Sequence, residues 1–180
     1  MQDYSDATLY QLTQQLAQAL QSKGLRLVTA ESCTGGWLAK CCTDLAGSSG
    51  WFEGGIVSYS NQIKQQYLDV QLSTLEKYGA VSEQTVIEMA SGAIQNFDAD
   101  ISVAISGIAG PDGGSVEKPV GTVCFAWADK QSVFCNTFHL RGNRTQTTDG
   151  SLARCGLLQW RASSPRRLLF RHRQTEGRSP

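Results

Sequence analysis

Long apolar stretches are absent from the 180-residue sequence. No run reaches the roughly 18 residues that a membrane-spanning helix needs, and the N-terminus lacks a signal-peptide pattern. The formal net charge is zero, which gives non-specific nucleic-acid binding no overall electrostatic support. We therefore expect a cytoplasmic protein with an adequate core, no membrane partner and no nucleic-acid partner.

Histidine is scarce, and the cysteines are not spaced for metal binding. The chain has only His139 and His172, so a Ser-His-Asp arrangement is poorly supplied. There is no C-x-x-C pair, and no histidine pair lies near a cysteine, which argues against a zinc site and a disulfide scaffold. We expect no metal and no cofactor. The six cysteines are Cys33, Cys41, Cys42, Cys124, Cys135 and Cys155.

Phosphate-binding fingerprints are also absent, although the chain has two glycine-rich turns. Neither the P-loop spacing nor G-x-G-x-x-G occurs. The turns Ser32–Gly36 and Gly107–Gly114 each follow a predicted buried strand. Ligands of open α/β sheets bind beyond the carboxyl ends of strands, so we expect both turns to face one cleft. The predicted substrate-binding residues there are Thr34, Gly35, Gly36, Ser106, Gly107 and Gly110.

The helix predicted after Ser32–Gly36 is the reason to expect an anion at the first turn. Its first backbone N–H groups lack partners within the helix and lie at the positive end of the helix dipole. Gly35 and Gly36 let a ligand approach the backbone closely. The simpler alternative is an ordinary Ser/Thr helix cap.

Serine, tyrosine and lysine side chains are concentrated between residues 47 and 64, as in a Ser/Lys hydrolase. Lys64 can act as general base if burial lowers its pKa, and Tyr59 can relay a proton or hold an oxyanion. The nucleophile is either Ser32 or Ser49. Cys33 is a third candidate, for which a small buried thiol is the favoured alternative. The alternatives are a solvated helix residue for Lys64 and a packed strand residue for Tyr59.

Apolar periodicity and turn residues predict strands that alternate with helices and end in a hairpin. This pattern indicates an α/β fold, a single-domain mixed sheet layered by helices. The predicted helices are 8–23, 34–44, 61–68 and 82–96, and 73–78 is a polar-rich segment without an assigned element. The predicted strands are 25–30, 55–60, 101–106, 121–128 and 132–140.

Six blocks of sequence, in unbroken order between about Leu9 and Arg144, resemble the CinA C-terminal domain family. Several blocks in order are far more specific than any one motif. They are Thr29–Gly36, Ala46–Ser49, Tyr59–Asn61 with Lys64, Gly79–Ser82, Ser106–Gly114 and Lys118–Val123.

The resemblance implies a CinA C-terminal-like fold and a chemistry. Stand-alone bacterial members of the family are nicotinamide-nucleotide amidohydrolases, which hydrolyse the carboxamide of nicotinamide mononucleotide to nicotinic acid mononucleotide and ammonia. That nucleotide is then the expected small-molecule partner, and we also expect a homo-oligomer. We do not expect the metal-dependent activity of the pyrophosphatase domain that longer members carry. The alternative is a non-catalytic nucleotide-binding or competence-associated CinA-like module.

The chain changes character after Arg144, which divides it into a domain at 1–144 and an atypical basic tail at 145–180. Nine of the ten arginines lie at or beyond Arg141. The family continues here with a long amphipathic helix, so we interpret the tail as the product of a frameshift near Gln146. A nucleic-acid-binding arm is the alternative. Arg144 itself is a candidate to hold the nucleotide phosphate through paired N–H donors.

Overall fold

The computed structural model of the protein describes residues 6–140. The helices are α1 (Asp6–Gln21), α2 (Trp37–Thr43), α3 (Asn61–Leu68), α4 (Leu72–Tyr78) and α5 (Glu83–Phe97), with a short 3-10 helix at Ser48–Gly50. The strands are β1 (Leu27–Glu31), β2 (Phe52–Val57), β3 (Ile101–Gly107), β4 (Thr122–Asp129) and β5 (Val133–His139).

The strands form one mixed sheet in the order β2-β1-β3-β4-β5. β1 lies parallel to β2 and to β3, whereas β3, β4 and β5 pair antiparallel. The carboxyl ends of β1, β2 and β3 therefore meet at one edge of the sheet. The predicted α/β class with a mixed sheet and a terminal hairpin is confirmed.

Helices cover both faces of the sheet because alternate strand residues point to opposite sides. On one face the leucines of α1, spaced three and four residues apart, pack with Phe125 and Trp127 of β4. On the other face α5 places Val86 and Met89 against Val28 of β1. Each such fully buried side chain contributes about 1.5–3 kcal/mol relative to exposure. The α1 leucines are Leu9, Leu12, Leu16 and Leu20.

Three predicted boundaries differ from the structure for local reasons. α2 begins at Trp37 rather than at residue 34, because Gly35 and Gly36 have left-handed backbone angles (φ +62° and +96°). β2 is an edge strand whose half-exposed residues and glycines hide its alternation, so the predicted strand is displaced by three residues. The polar-rich segment 73–78 is helical, within α4.

Within residues 6–140, every helix is too short or too polar to cross a membrane.

Gly92 permits the close approach of α5 to the end of α3, and we expect Gly92→Ala to destabilise the fold. A Cβ at this position would lie 2.0 Å from the backbone oxygen of Leu68. Alanine gains about 1 kcal/mol in helix propensity, but overpacking against a rigid backbone costs about 1–3 kcal/mol. Urea unfolding should therefore show a net loss of stability. The exposed Gln95→Ala in the same helix should change stability by less than about 0.5 kcal/mol; an equally stable Gly92→Ala would contradict the packing.

Candidate active site

Ser32 and Lys64 meet at the carboxyl edge of the parallel strands. Ser32 follows the last residue of β1, and Lys64 lies in the second turn of α3, whose first turn is capped by the Ser60 hydroxyl. The Lys64 Nζ atom lies 3.1 Å from Ser32 Oγ and donates to the Ser58 carbonyl oxygen at 2.5 Å. This is the contact that a lysine base needs to take a proton from a serine hydroxyl.

Burial changes the acid–base chemistry of Lys64. Its side chain has no exposed surface, and Ser32 is 8% exposed. Desolvation disfavours the ammonium form and lowers the pKa of Lys64 from 10.5 to about 8, against a smaller opposing effect of Cys33. At pH 7 roughly one Lys64 in ten is then neutral. The solvated helix residue that was the alternative for Lys64 is therefore wrong.

The environment of Cys33 disfavours the thiolate, which is the form that a cysteine nucleophile needs. Burial, with a smaller contribution from the nearby Glu31 carboxylate, raises the pKa of its thiol to about 12. A thiol with this pKa stays protonated at neutral pH, and the thiolate is the reactive form. The environment therefore favours the interpretation of Cys33 as a small packed thiol.

The structure separates Ser49 from Lys64 within one chain. Ser49 is exposed in the short 3-10 helix before β2, whereas Ser58 and Lys64 follow the other end of that strand. Six strand residues span roughly 20 Å. Tyr59, by contrast, directly follows Ser58; it lies outside the strand and is 64% exposed, so the alternative of a packed strand residue is wrong.

The first turn of α2 is already occupied by a carboxylate from the chain itself. Glu31 Oε2 accepts from the Leu38 N–H at 3.1 Å, and Oε1 accepts from the Ala39 N–H at 2.8 Å. Glu31 therefore uses the Leu38 and Ala39 N–H groups, and phosphate binding at this turn stays a prediction. Thr34, Gly35 and Gly36 stay candidates to bind substrate through the turn that precedes α2. In this turn the Thr34 hydroxyl is buried without a hydrogen-bond partner among the described residues.

The second glycine-rich turn lies against the first. A Cβ at Gly107 would be 3.0 Å from Cys33 Sγ, so the two turns lie side by side, and the shared cleft stays a prediction. The Ser106 hydroxyl is buried and donates to the Ala80 carbonyl oxygen at 2.7 Å. At Gly110 the φ of +78° and the side chain of Val120, 2.5 Å from a Cβ built there, both require glycine.

Three residues, two beside Ser32 and Lys64 and one in the β3–β4 loop, carry structural contacts that the sequence reasoning missed. Lys118 Nζ donates to the carbonyl oxygens of Tyr78 and Val81, which joins the β3–β4 loop to the α4–α5 turn. The Glu31 carbonyl oxygen accepts from the Ser58 hydroxyl, and the Ser58 carbonyl oxygen accepts from Lys64 Nζ. Glu31 and Lys118 lie inside blocks that resemble the family, which was the available signal.

Some predicted features lie outside the described residues. These are Arg144, the tail 145–180, Cys155 and His172. Within residues 6–140, no group of three or more His, Cys, Asp or Glu residues could hold a metal ion.

A sequence profile of the CinA C-terminal domain matches residues 9–157. The chain belongs to the CinA C-terminal domain family. The nicotinamide-nucleotide amidohydrolase PncC of Escherichia coli (strain K12) is 60% identical over 124 residues, which cover 69% of this chain and 75% of that protein. PncC of Enterobacter agglomerans is 56% identical over 126 residues, or 70% of this chain and 77% of that protein.

A solved structure also matches this CinA-family chain. A competence-damaged protein (CinA) superfamily protein from Escherichia coli superposes with a TM-score of 0.82 at 40% identity, covering 88% of this chain and 92% of that chain. The profile match continues past residue 144. The domain boundary at 144, the frameshift and the homo-oligomer stay predictions.

Proposed function

We propose that the chain hydrolyses the carboxamide of nicotinamide mononucleotide to nicotinic acid mononucleotide and ammonia. The observation that carries the proposal is the buried Lys64 Nζ atom, 3.1 Å from Ser32 Oγ. The names of the relatives at 56% and 60% identity support the substrate.

In the proposed mechanism, Ser32 Oγ attacks the carboxamide carbon while the neutral Lys64 amine takes the hydroxyl proton. Collapse of the tetrahedral intermediate breaks the C–N bond, and Lys64 returns the proton to the nitrogen, which leaves as ammonia. A water molecule, deprotonated by Lys64, then attacks the serine ester. This step releases the carboxylic acid and restores the Ser32 hydroxyl.

The remaining predicted site residues have supporting roles in this proposal. Tyr59, which directly follows Ser58, stabilises the oxyanion or relays a proton. The turns around Thr34 and Gly107 bind the pyridine nucleotide, and Arg144 holds its phosphate. Because Glu31 occupies the first N–H groups of α2, the phosphate depends on Arg144 more than on this helix.

Ammonia release by the purified chain tests the proposal. We expect turnover of nicotinamide mononucleotide without added metal, and much slower turnover of free nicotinamide, which lacks the ribose and phosphate. The non-catalytic alternative predicts that the nucleotide binds without ammonia release. Binding with no turnover across pH 6–10 would therefore overturn the hydrolase.

The pH profile should report the pKa of Lys64. The base must be neutral, so kcat/KM should rise with pH and level off above the Lys64 pKa of about 8. Below that pH, kcat/KM should fall about tenfold for each unit, since the neutral fraction does so. Initial rates between pH 6 and 10 give the profile. A flat profile would exclude Lys64 as the titrating base, and a profile that still rises tenfold per unit up to pH 10 would contradict its lowered pKa.

A further inference from the structure

Glu31 is a buried carboxylate that the proposed mechanism does not use. It is the last residue of β1, directly precedes Ser32, and is 1% exposed. Its two carboxylate oxygens accept from two successive N–H groups of α2, those of Leu38 and Ala39. Charge-assisted hydrogen bonds of this kind are roughly twice as strong as neutral ones, and the positive end of the helix dipole adds to them.

The main chain of Glu31 reaches the other half of the site. Its carbonyl oxygen accepts from the Ser58 N–H at 2.7 Å and from the Ser58 hydroxyl at 3.3 Å. The carbonyl oxygen of Ser58 in turn accepts from Lys64 Nζ. Glu31 is therefore joined to Ser32 by a peptide bond and to Lys64 through the hydrogen bonds of Ser58.

The turn between Glu31 and α2 has little rigidity of its own, so the contacts of the Glu31 carboxylate are needed to fix it. Between Glu31 and α2 the chain passes through two consecutive glycines with left-handed backbone angles. Glycine has the largest conformational freedom of any residue, so a turn of this composition is weakly held by its own torsions. A displacement of about 1 Å at a reacting group can lower a rate about 100-fold.

We propose that Glu31 is a positioning residue, whose carboxylate clasps the start of α2 to the end of β1 and so holds the Ser32 hydroxyl within reach of Lys64. For its effect on turnover, the inference rests on the proposed hydrolase function.

Two substitutions at Glu31 test the clasp by kinetics. Glu31→Asp keeps the charge but is one methylene too short to reach both N–H groups. Glu31→Gln keeps the length but sets an NH₂ group against one of them. We expect kcat for nicotinamide mononucleotide to fall about 10- to 100-fold in both, with KM within about threefold of the original. A folded variant of either kind with kcat within twofold would overturn the proposal.

Asp129→Asn is the matched control. The Asp129 carboxylate also accepts from two backbone N–H groups, those of Gln131 and Ser132, but at the opposite edge of the sheet. A purely structural effect of losing such contacts should lower stability in both variants and leave kcat of the folded protein unchanged. The control should therefore keep kcat. An equal loss of kcat in Asp129→Asn would show that Glu31 has no specific role.

Titration of Lys64 tests the clasp without using turnover. In the unaltered chain, the ¹³Cε signal of Lys64 should titrate near pH 8. If Glu31→Asp releases the turn, water enters beside Lys64 and the titration should move towards 10.5, because the charge at position 31 is kept. An unchanged titration would overturn the proposal. If the unaltered chain releases no ammonia, the proposed hydrolase function fails, and this titration alone still tests the positioning role of Glu31. The failures of the two proposals are therefore distinguishable.

Discussion

Lys64→Arg should abolish ammonia release while the nucleotide still binds. Arginine keeps the positive charge, but its guanidinium pKa is above 12, so the side chain cannot accept the Ser32 proton near neutral pH. General-base catalysis contributes about 10²–10⁴-fold, and we expect kcat to fall by at least 10³-fold. Initial rates and a calorimetric titration with nicotinamide mononucleotide measure the two effects separately.

Two further variants protect this test from an effect on folding. Lys40→Arg makes the same exchange at an exposed lysine of α2 that pairs with Asp44, and it should keep full activity. Lys64→Met removes the charge and keeps the approximate length, in case the larger guanidinium does not fit the fully buried position. Turnover near the original level in Lys64→Arg would remove lysine from the mechanism.

The elements that sequence reasoning predicted best have strong local signals. α3 follows Ser60, which caps it, and its observed bounds equal the predicted ones. β3 is a continuous buried run between polar residues and glycine, and it differs from the prediction by one residue. In both cases the local pattern and the tertiary environment favour the same element, so propensity and packing agree.

The errors fall where tertiary contacts override local patterns. β2 has two consecutive glycines, and one of them is required because a Cβ at Gly55 would lie 2.4 Å from Thr29 Oγ1. The two glycines add no side-chain pattern, so the sequence predicts a strand here but misplaces its bounds. The role of Glu31 was hidden for a similar reason. A carboxylate that reaches seven and eight residues ahead to cap a helix is visible only when the turn between them is folded.

The choice between Ser32 and Ser49 as nucleophile shows most clearly what the sequence alone does not decide. Ser49 lies closer than Ser32 to Lys64 along the chain, and both serines belong to family-like blocks. The parallel pairing of β1 with β2 decides their positions. It brings residue 32 beside the segment after β2 and leaves residue 49 at the start of that strand. Strand pairing between distant segments is the information that composition and spacing lack.

Ser32→Ala should therefore remove turnover, and Ser49→Ala should leave it nearly intact. We expect kcat to fall by at least about 10³-fold for Ser32→Ala, since no acyl-enzyme can form, and to change by less than about twofold for Ser49→Ala. Single-turnover assays with nicotinamide mononucleotide, on variants with matched thermal unfolding, give both values. In Ser32→Ala the Lys64 amine loses one hydrogen-bond partner and keeps the Ser58 carbonyl oxygen; it should still titrate well below 10.5, because burial is the main cause of its lowered pKa.

The opposite pattern has a specific meaning. If Ser49→Ala abolished turnover and Ser32→Ala did not, the attacking serine would come from the segment before β2, which one chain holds roughly a strand length from Lys64. A second copy of the chain would then have to supply it. Mixing Ser49→Ala with Lys64→Arg, both of which would then be inactive, tests this case, because activity recovered in the mixture would require a site shared between subunits. If Ser32 and Lys64 of one chain act together, a mixture of Ser32→Ala with Lys64→Arg should recover none.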